Sequence, residues 1–260
     1  MKYGFIGCGN MGGAIARALS KSTKSILLSD VTDKAMLLAQ ELGCSYGDNI
    51  AAVQCDAVFL AIKPNMVEKV LAPLSAHLLK HKPLIISIAA GLEISKIQSI
   101  VGPALPIIRI MPNTPVAVGK GMILYCRNDA VNDEMLADFL KDMQYAGTLD
   151  AIDEKLIDAA SAVSGCGPAY MYMFIEALAD GAVSCGLPRD KAIEYAAVTM
   201  AGAAEMVISS GQHPGALKDA VCSPGGSTIA GVNALEQQGF RGKVMECIRA
   251  AYKRTLELGK

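Results

Sequence analysis

Gly7-Cys8-Gly9-Asn10-Met11-Gly12 sets three glycines directly after the apolar run Tyr3 to Ile6 and ahead of the helical run Ala14 to Leu19. Each glycine has its own physical reason: a tight turn at Gly7, close approach of the backbone to a pyrophosphate at Gly9, and close helix packing at Gly12. The helix that follows offers free N–H groups and the positive end of its dipole to that diphosphate. About 20 residues on, the next β-rich run ends in Asp30, where a carboxylate accepts hydrogen bonds from the adenosine ribose hydroxyls. Strand, glycine turn, helix and acid together predict a dinucleotide-binding unit built on Gly7, Gly9, Gly12 and Asp30, and so a nicotinamide-dependent oxidoreductase. Asp30 favours NAD(H) by repelling a 2'-phosphate, while Ser29, Thr32 and Lys34 are groups able to hold one. No arginine lies in that turn.

Two further strand ends carry small or turn-forming residues. Ala61-Ile62-Lys63-Pro64 closes an apolar run at what should be the carboxyl edge of a sheet, where open α/β folds bind ligands. It either lines the path of the cofactor's ribose and nicotinamide or leaves Lys63 as a solvated loop charge. Ile88-Ala89-Ala90-Gly91 has side chains small enough to admit a flat nicotinamide ring, or to make a tight packing turn. Later in the chain, Ser164-Gly165-Cys166-Gly167-Pro168 and Ser223-Pro224-Gly225-Gly226-Ser227-Thr228 each feed a helix. Such loops are carboxylate or phosphate cradles, or else ordinary helix caps with glycines for the turn. No GxSxG elbow is present, no pair of acids is suited to general base work, and His213 is the single histidine of the second half. A reaction needing little side-chain acid–base help, such as hydride addition to an already protonated imine, fits best.

The elements that must hold these residues follow from apolar periodicity. Short β-branched runs at Tyr3 to Ile6, Ser25 to Ser29, Ala57 to Ile62, Leu84 to Ala89 and Pro106 to Ile110, with a further pair near Gly121 to Tyr125 and Gly147 to Ala151, read as strands. They alternate with helical patterns such as Met11 to Ser20, Lys34 to Leu42 and Met66 to Leu79, the signature of a helix-covered parallel sheet. After about Asp153 every segment reads as helix. The expected fold is therefore an α/β, doubly wound parallel sheet over residues 1–152, followed by an all-α domain over residues 153–260. Within the latter, Arg189 to Ser210 is rich in alanine and glycine. Small side chains let helices approach closely, so this helix should be buried on more than one side, and a second subunit is the natural source of that surface. The last helix, Gly242 to Leu258, is amphipathic.

Composition removes other classes. With 52% apolar and 19% charged residues the chain can fill a core, and a formal net charge of -1 offers no basic field for nucleic acid. The apolar runs are too short to cross a bilayer, or, as in Ala169 to Leu187, carry acids that lipid would not tolerate. No apolar stretch of signal-peptide length follows Lys2, so a cytoplasmic protein is expected. The eight cysteines form no CxxC pair and read as small buried hydrophobes in a reducing compartment. His77 and His81 share a helix face, but nothing nearby completes a metal set, so no metal is expected.

Taken together, Phe5 to Met11, Ala61 to Pro64, Ala89 to Gly91, Arg109-Ile110-Met111-Pro112-Asn113-Thr114-Pro115, Ser164 to Tyr170, and His213-Pro214 through Leu217-Lys218-Asp219 to Thr228 make the chain resemble the pyrroline-5-carboxylate reductase family along its whole length. The resemblance implies a Rossmann-type domain followed by an all-α dimerisation domain, in a homodimer often assembled into a decamer. It implies hydride transfer from NAD(P)H to the C=N bond of 1-pyrroline-5-carboxylate, giving L-proline, the last step of proline biosynthesis. Ile6 to Met11, Ala61, Ile62, Lys63, Pro64, Ile88, Ala89 and Ala90 would contact the cofactor. Ser223, Gly225, Gly226, Ser227 and Thr228 would bind the substrate carboxylate, with Thr228 as catalytic residue, either hydrogen-bond partner of the ring nitrogen or also its proton donor. The family default is NADP(H), against the NAD(H) that Asp30 favours. A β-hydroxyacid dehydrogenase-like enzyme would need a lysine in the helix after Pro168, and none occurs before Lys191.

Overall fold

The computed structural model describes residues 1–258. It divides into two compact units, one of Met1–Cys166 with the C-terminal segment from Ala251, the other of Gly167–Ala250. The first contains β1 (Tyr3–Ile6), α1 (Asn10–Leu19), β2 (Ile26–Ser29), α2 (Lys34–Leu42), β3 (Ser45–Tyr46), α3 (Asn49–Val53), β4 (Ala57–Leu60) and α4 (Pro64–Leu71). It continues with α5 (Ser75–His81), β5 (Leu84–Ser87), α6 (Ile94–Val101), β6 (Ile107–Met111), β7 (Gly121–Arg127), α7 (Asp133–Asp142), β8 (Gly147–Ala151) and α8 (Glu154–Ser164).

The strands form one sheet in the order β3-β2-β1-β4-β5-β6-β7-β8. Successive side chains of a strand point to opposite faces, and here both faces are covered. Tyr3, Phe5 and Phe59 pack on one side with α1, and Ile6, Val58 and Leu60 on the other with Val67 and Leu71 of α4. Burial on both faces is why these strands read as continuous apolar runs. The β6–β7 pair is antiparallel, unlike its neighbours. The link between them is a short 3-10 turn, Thr114–Val118, and a parallel return would need a longer crossover.

One local departure from expectation has a plain cause. The helix expected over Met66 to Leu79 is split into α4 and α5 by a 3-10 turn containing Pro73, whose ring lacks the N–H that a continuous helix requires. The expected division at 152/153 falls just before α8, which by its contacts packs with the first unit. Arg109 of β6 pairs with its Glu154 and Asp158, and the chain passes to the second unit at Cys166–Gly167.

The second unit is all helical: α9 (Gly167–Ser184), α10 (Arg189–Ser210), α11 (Pro214–Ala220), α12 (Ser227–Gln237) and α13 (Phe240–Leu258), which runs on past Ala250. Gly186, at a φ of +96°, and Pro188 end α9 and start α10, with Pro188 at the cap position. Within the single chain α10 buries Ala192 and Ala196, and leaves Ile193, Val198, Met206 and Ile208 exposed. Among the described residues it is the one helix long and apolar enough, by composition, to cross a membrane.

Gly4 of β1 tests the packing of this sheet. A β-carbon there would lie 2.2 Å from the Ala52 carbonyl oxygen of α3, so Gly4→Ala must push helix and sheet apart. The expected cost is about 1–3 kcal/mol, read as a fall of several degrees in Tm. An unchanged melting curve would show that α3 does not rest on β1 this closely.

Candidate active site

The strand order reverses between β1 and β4, because the chain runs outward through β2 and β3 before returning on the other side of β1. A crevice opens at the carboxyl ends of strands where such a reversal occurs. The Gly7 N–H donates to the Ser29 carbonyl at 2.8 Å and the Ala61 N–H to the Ile6 carbonyl at 2.8 Å, carrying the ladder into both loops. Gly7 has a φ of +99°, and a β-carbon on it would lie 2.4 Å from the Ala61 oxygen. A β-carbon on Gly12 would lie 2.4 Å from the Gly7 oxygen and 2.8 Å from the Ala61 methyl. Packing within the chain therefore requires glycine at both positions. Gly9 differs: nothing of the protein lies within 4 Å of where its side chain would be.

Gly9 is also the cap of α1, and no side chain caps that helix, nor does any acid stand in its first turn. Its leading N–H groups thus face a backbone concavity with room for another molecule. An uncapped helix start beside a side-chain-free approach fits the diphosphate of a dinucleotide. Ile6 and Cys8 are buried beneath the loop, Met11 is half-buried and Asn10 exposed. Burial, and then the charge of Asp30, push the Cys8 thiol up to about 12, so it is packing and not a nucleophile.

Asp30 has a role that its position in the sequence does not reveal. Its Oδ2 accepts the Cys8 N–H at 2.7 Å, and its Oδ1 accepts the Thr32 N–H at 2.9 Å and the Thr32 hydroxyl at 2.7 Å. A carboxylate has about four acceptor positions, so about one is left for a ribose hydroxyl. Partial burial raises its pKa, but the Cys8 and Thr32 hydrogen bonds with nearby Lys34 outweigh that and hold it below the usual value. Asp30 is thus a fixed negative charge that also fastens the glycine loop. Beyond β2 it opens on a cleft of about 480 Å³, where Val31, Met36 and Tyr46 offer apolar surface and Asp33 and Asp48 add acids. Lys34 lines a separate pocket of about 290 Å³ with Cys8, Gly9 and Asn10.

Ala61 and Ile62 are half-buried at the crevice, whereas Lys63 and Pro64 are exposed at the cap and first position of α4. On the next strand end, Ala89 is buried, Ile88 half-buried and Ala90 exposed, before Gly91 turns at a φ of +70°.

In the second unit, the Gly226 N–H donates to the Ser223 carbonyl at 3.0 Å, and Gly225 has a φ of +67°. Proline followed by a left-handed glycine is the residue pattern of a type II turn. The cap of α12 is Gly226, and no side chain satisfies the helix start. Ser223, Ser227 and Thr228 are exposed around it. This is not a serine-capped helix, and its start is left open to an acceptor from outside the chain. The Ser164 loop, in contrast, is engaged internally: the Ser164 hydroxyl donates to Ala160, its carbonyl accepts from Asn113, and the Gly165 and Cys166 N–H groups both donate to Ser161. His213 caps α11, its Nδ1 accepting the Gly215 N–H at 3.0 Å.

Two residues outside the expected sets hold the architecture. Buried Asn113 links Ser164 to Met122, and buried Arg109 links β6 to α8. The one signal for Arg109 beyond the family motif was its placement, as a lone charge in an otherwise apolar strand.

Comparison with known proteins agrees with this geometry. Residues 154–258 match the family described as pyrroline-5-carboxylate reductase dimerisation, and residues 2–91 match NADP oxidoreductase coenzyme F420-dependent. Pyrroline-5-carboxylate reductase of Escherichia coli K12 is 41% identical, over 100% of this chain and 98% of its own length. The Pisum sativum enzyme of that name is 40% identical over 98% and 95%. The structure of Plasmodium falciparum pyrroline carboxylate reductase with NADP bound superposes with a TM-score of 0.91 at 34% identity, covering 100% of this chain and 98% of that one.

The lowered pKa of Asp30 carries a consequence for acid stability. A carboxylate stabilised in its charged form contributes fully above its ordinary value of 3.8, and that contribution disappears as pH falls through the lower folded value. The Tm advantage of the unmodified protein over Asp30→Asn should therefore hold from pH 7 to about 4 and shrink below that. A difference constant down to pH 2 would remove Asp30 from the loop's electrostatics.

Proposed function

The chain belongs to the pyrroline-5-carboxylate reductase family, and on that premise we propose how its residues reduce the C=N bond of 1-pyrroline-5-carboxylate to L-proline. The observation that carries the reading is the pair of uncapped helix starts, α1 behind Gly9 and α12 behind Gly226. The first holds the diphosphate, with Ala61, Ile62, Lys63, Pro64 and the Ile88–Ala90 loop along the rest of the dinucleotide. When bound, the reduced nicotinamide supplies a hydride from its C4. The second receives the substrate carboxylate through the N–H groups of Ser227 and Thr228, helped by the hydroxyls of Ser223, Ser227 and Thr228 and by the helix dipole. Gly225 and Gly226 shape the turn.

Thr228 faces the ring nitrogen in this reading, its hydroxyl holding the protonated imine by a hydrogen bond. Hydride addition to that imine gives the secondary amine without a further proton, so no general acid is needed. The capping role of His213 agrees with this. Orientation of two reactants then accounts for most of the acceleration.

The residues favour NADH over NADPH. A 2'-phosphate would meet the ionised Asp30 in a cleft that also holds Asp33 and Asp48, with Lys34 as the opposing influence. In this the chain would differ from the Plasmodium relative, which holds NADP. A second copy of the chain covers the apolar side chains of α10, making a dimer, and dimers assemble further into a decamer. All eight cysteines are free, which suits a cytoplasmic enzyme.

Proline formation from 1-pyrroline-5-carboxylate should consume NADH or NADPH, and consumption of neither would sink the assignment. Thr228→Ala should lower kcat by about 100-fold, on the order expected for loss of one positioned hydrogen-bonding group at the reacting atoms, with dinucleotide affinity unchanged and Thr228→Ser largely active. Equal kinetics for Thr228→Ala would place Thr228 outside the site. Asp30→Asn keeps an acceptor for the Cys8 N–H while removing the charge. It should raise the NADPH-to-NADH ratio of kcat/KM by about tenfold, and an unaltered ratio would mean that Asp30 does not select the cofactor.

A further inference from the structure

The loop from Ile88 to Glu93 is fixed at both ends by groups outside itself. At its start, the Ile88 N–H donates to the Leu60 carbonyl and the Ala89 N–H to the Ser87 hydroxyl, each at 3.3 Å. At its end stands the first turn of α6, a helix of eight residues whose cap residue, Glu93, does not cap it with its side chain. The Glu93 carboxylate takes the Ser95 hydroxyl instead. The first N–H of the helix, that of Ile94, donates at 2.8 Å to Oε1 of Glu154, which lies 60 residues further along the chain.

Glu154 is in turn held by a buried cation. Arg109 is 3% exposed at its side chain and donates from Nη1 to the same Glu154 oxygen at 3.2 Å, and from Nη2 to Asp158 at 2.9 Å. A guanidinium inside a sheet must keep its carboxylates close, because an unpaired buried charge is costly. The two acids of α8 are thereby drawn against β6, and one of them reaches on to cap α6. From the sheet interior to the Ala89–Gly91 turn there is one continuous chain: Arg109, Glu154, the Ile94 N–H, then the loop.

We propose that Glu154, held by Arg109, is a positioning residue for the nicotinamide end of the cofactor, acting through the Ile88–Gly91 loop. This rests on the reading that the loop borders the nicotinamide. Glu154 touches neither cofactor nor substrate itself. The adenosine half of the dinucleotide is held elsewhere, by the glycine loop and the cleft beyond β2, so disturbing Glu154 weakens one half of the molecule and spares the other.

Glu154→Asp tests this without stripping Arg109 of its countercharge, since the shorter side chain still faces the guanidinium but draws back from Ile94. Calorimetric titration with NADH and with ADP-ribose, which lacks the nicotinamide, reads the two halves separately. Hydrogen exchange on the ligand-free protein reads the loop directly. Glu154→Asp should weaken NADH by about fivefold to tenfold, as loss of a charged cap does, leave ADP-ribose within twofold, and speed amide exchange over residues 88–97. Glu154→Gln, whose amide oxygen can still accept from Ile94, should restore all three toward the unmodified protein. Ala90→Leu controls for the underlying reading, because bulk in the loop should also weaken NADH and not ADP-ribose. If Ala90→Leu behaves so and Glu154→Asp changes neither the affinity ratio nor the exchange, the positioning role falls while the loop keeps its place beside the nicotinamide. If Ala90→Leu leaves the ratio unchanged as well, the loop reading fails and the proposal with it.

Discussion

The Gly7 carbonyl, the Ala61 methyl and the first turn of α1 meet so closely that one added carbon on Gly12 would lie within 3 Å of both. This contact is the constraint on which the rest of the first unit depends. It sets how far α1 can slide along the sheet, and it ties the loop after β1 to the loop after β4. It also leaves the leading amides of α1 with no partner from the chain's own side chains. Helix ends are normally capped when they can be, because an unsatisfied amide is costly. Leaving this one open, beside glycines that keep side chains off the turn, is useful if another molecule supplies the acceptor.

The same contact explains why Asp30 does two things. The glycine turn has few side chains with which to hold itself, the Cys8 thiol reaching only the Ser29 carbonyl, and its Cys8 amide is fixed from across the crevice by the first acid after β2. That acid stays ionised because the amide and Thr32 favour its charge. In the proposed reading, where this acid lies beside the adenosine ribose, its charge would bias the choice between a hydroxyl and a phosphate there. Loop rigidity and cofactor choice are thus linked through one carboxylate, and a residue that changed one would tend to disturb the other.

How much of this was legible in the chain differs from residue to residue for physical reasons. Gly7, Gly9 and Gly12 could be read because their demands are local, and the strands because burial on both faces leaves uninterrupted apolar runs. β3 could not, being two exposed residues with no pattern of their own. The Ser164 and Ser223 loops looked alike as strings of serine, glycine and proline. They part in the structure because Asn113, some 51 positions away, engages the Ser164 carbonyl, while Ser223 to Thr228 meet no such partner among the described residues. Asp30 was visible as a ribose acceptor but not as the Cys8 clasp, and Glu154 showed no sign of capping a helix 60 residues upstream. Around the candidate site, what escaped was in each case a hydrogen bond whose partner lies far along the chain, invisible to periodicity and spacing.

These long-range bonds bear on how such a site can work. Hydride addition to a protonated imine asks little of side-chain acids and bases, and His213 is engaged as a helix cap. The rate must then come from holding donor carbon and acceptor carbon in line, where small misplacements are costly. A site that works by position needs loops stiffer than their own sequences make them, and loops of alanine and glycine are poor at stiffening themselves. Buried charge is a device suited to this, since a paired guanidinium inside a sheet cannot move without losing its partners. Arg109 therefore makes sense as more than a structural ion pair: through Glu154 it ties the sheet to the turn that, in the proposed reading, lies against a flat ring.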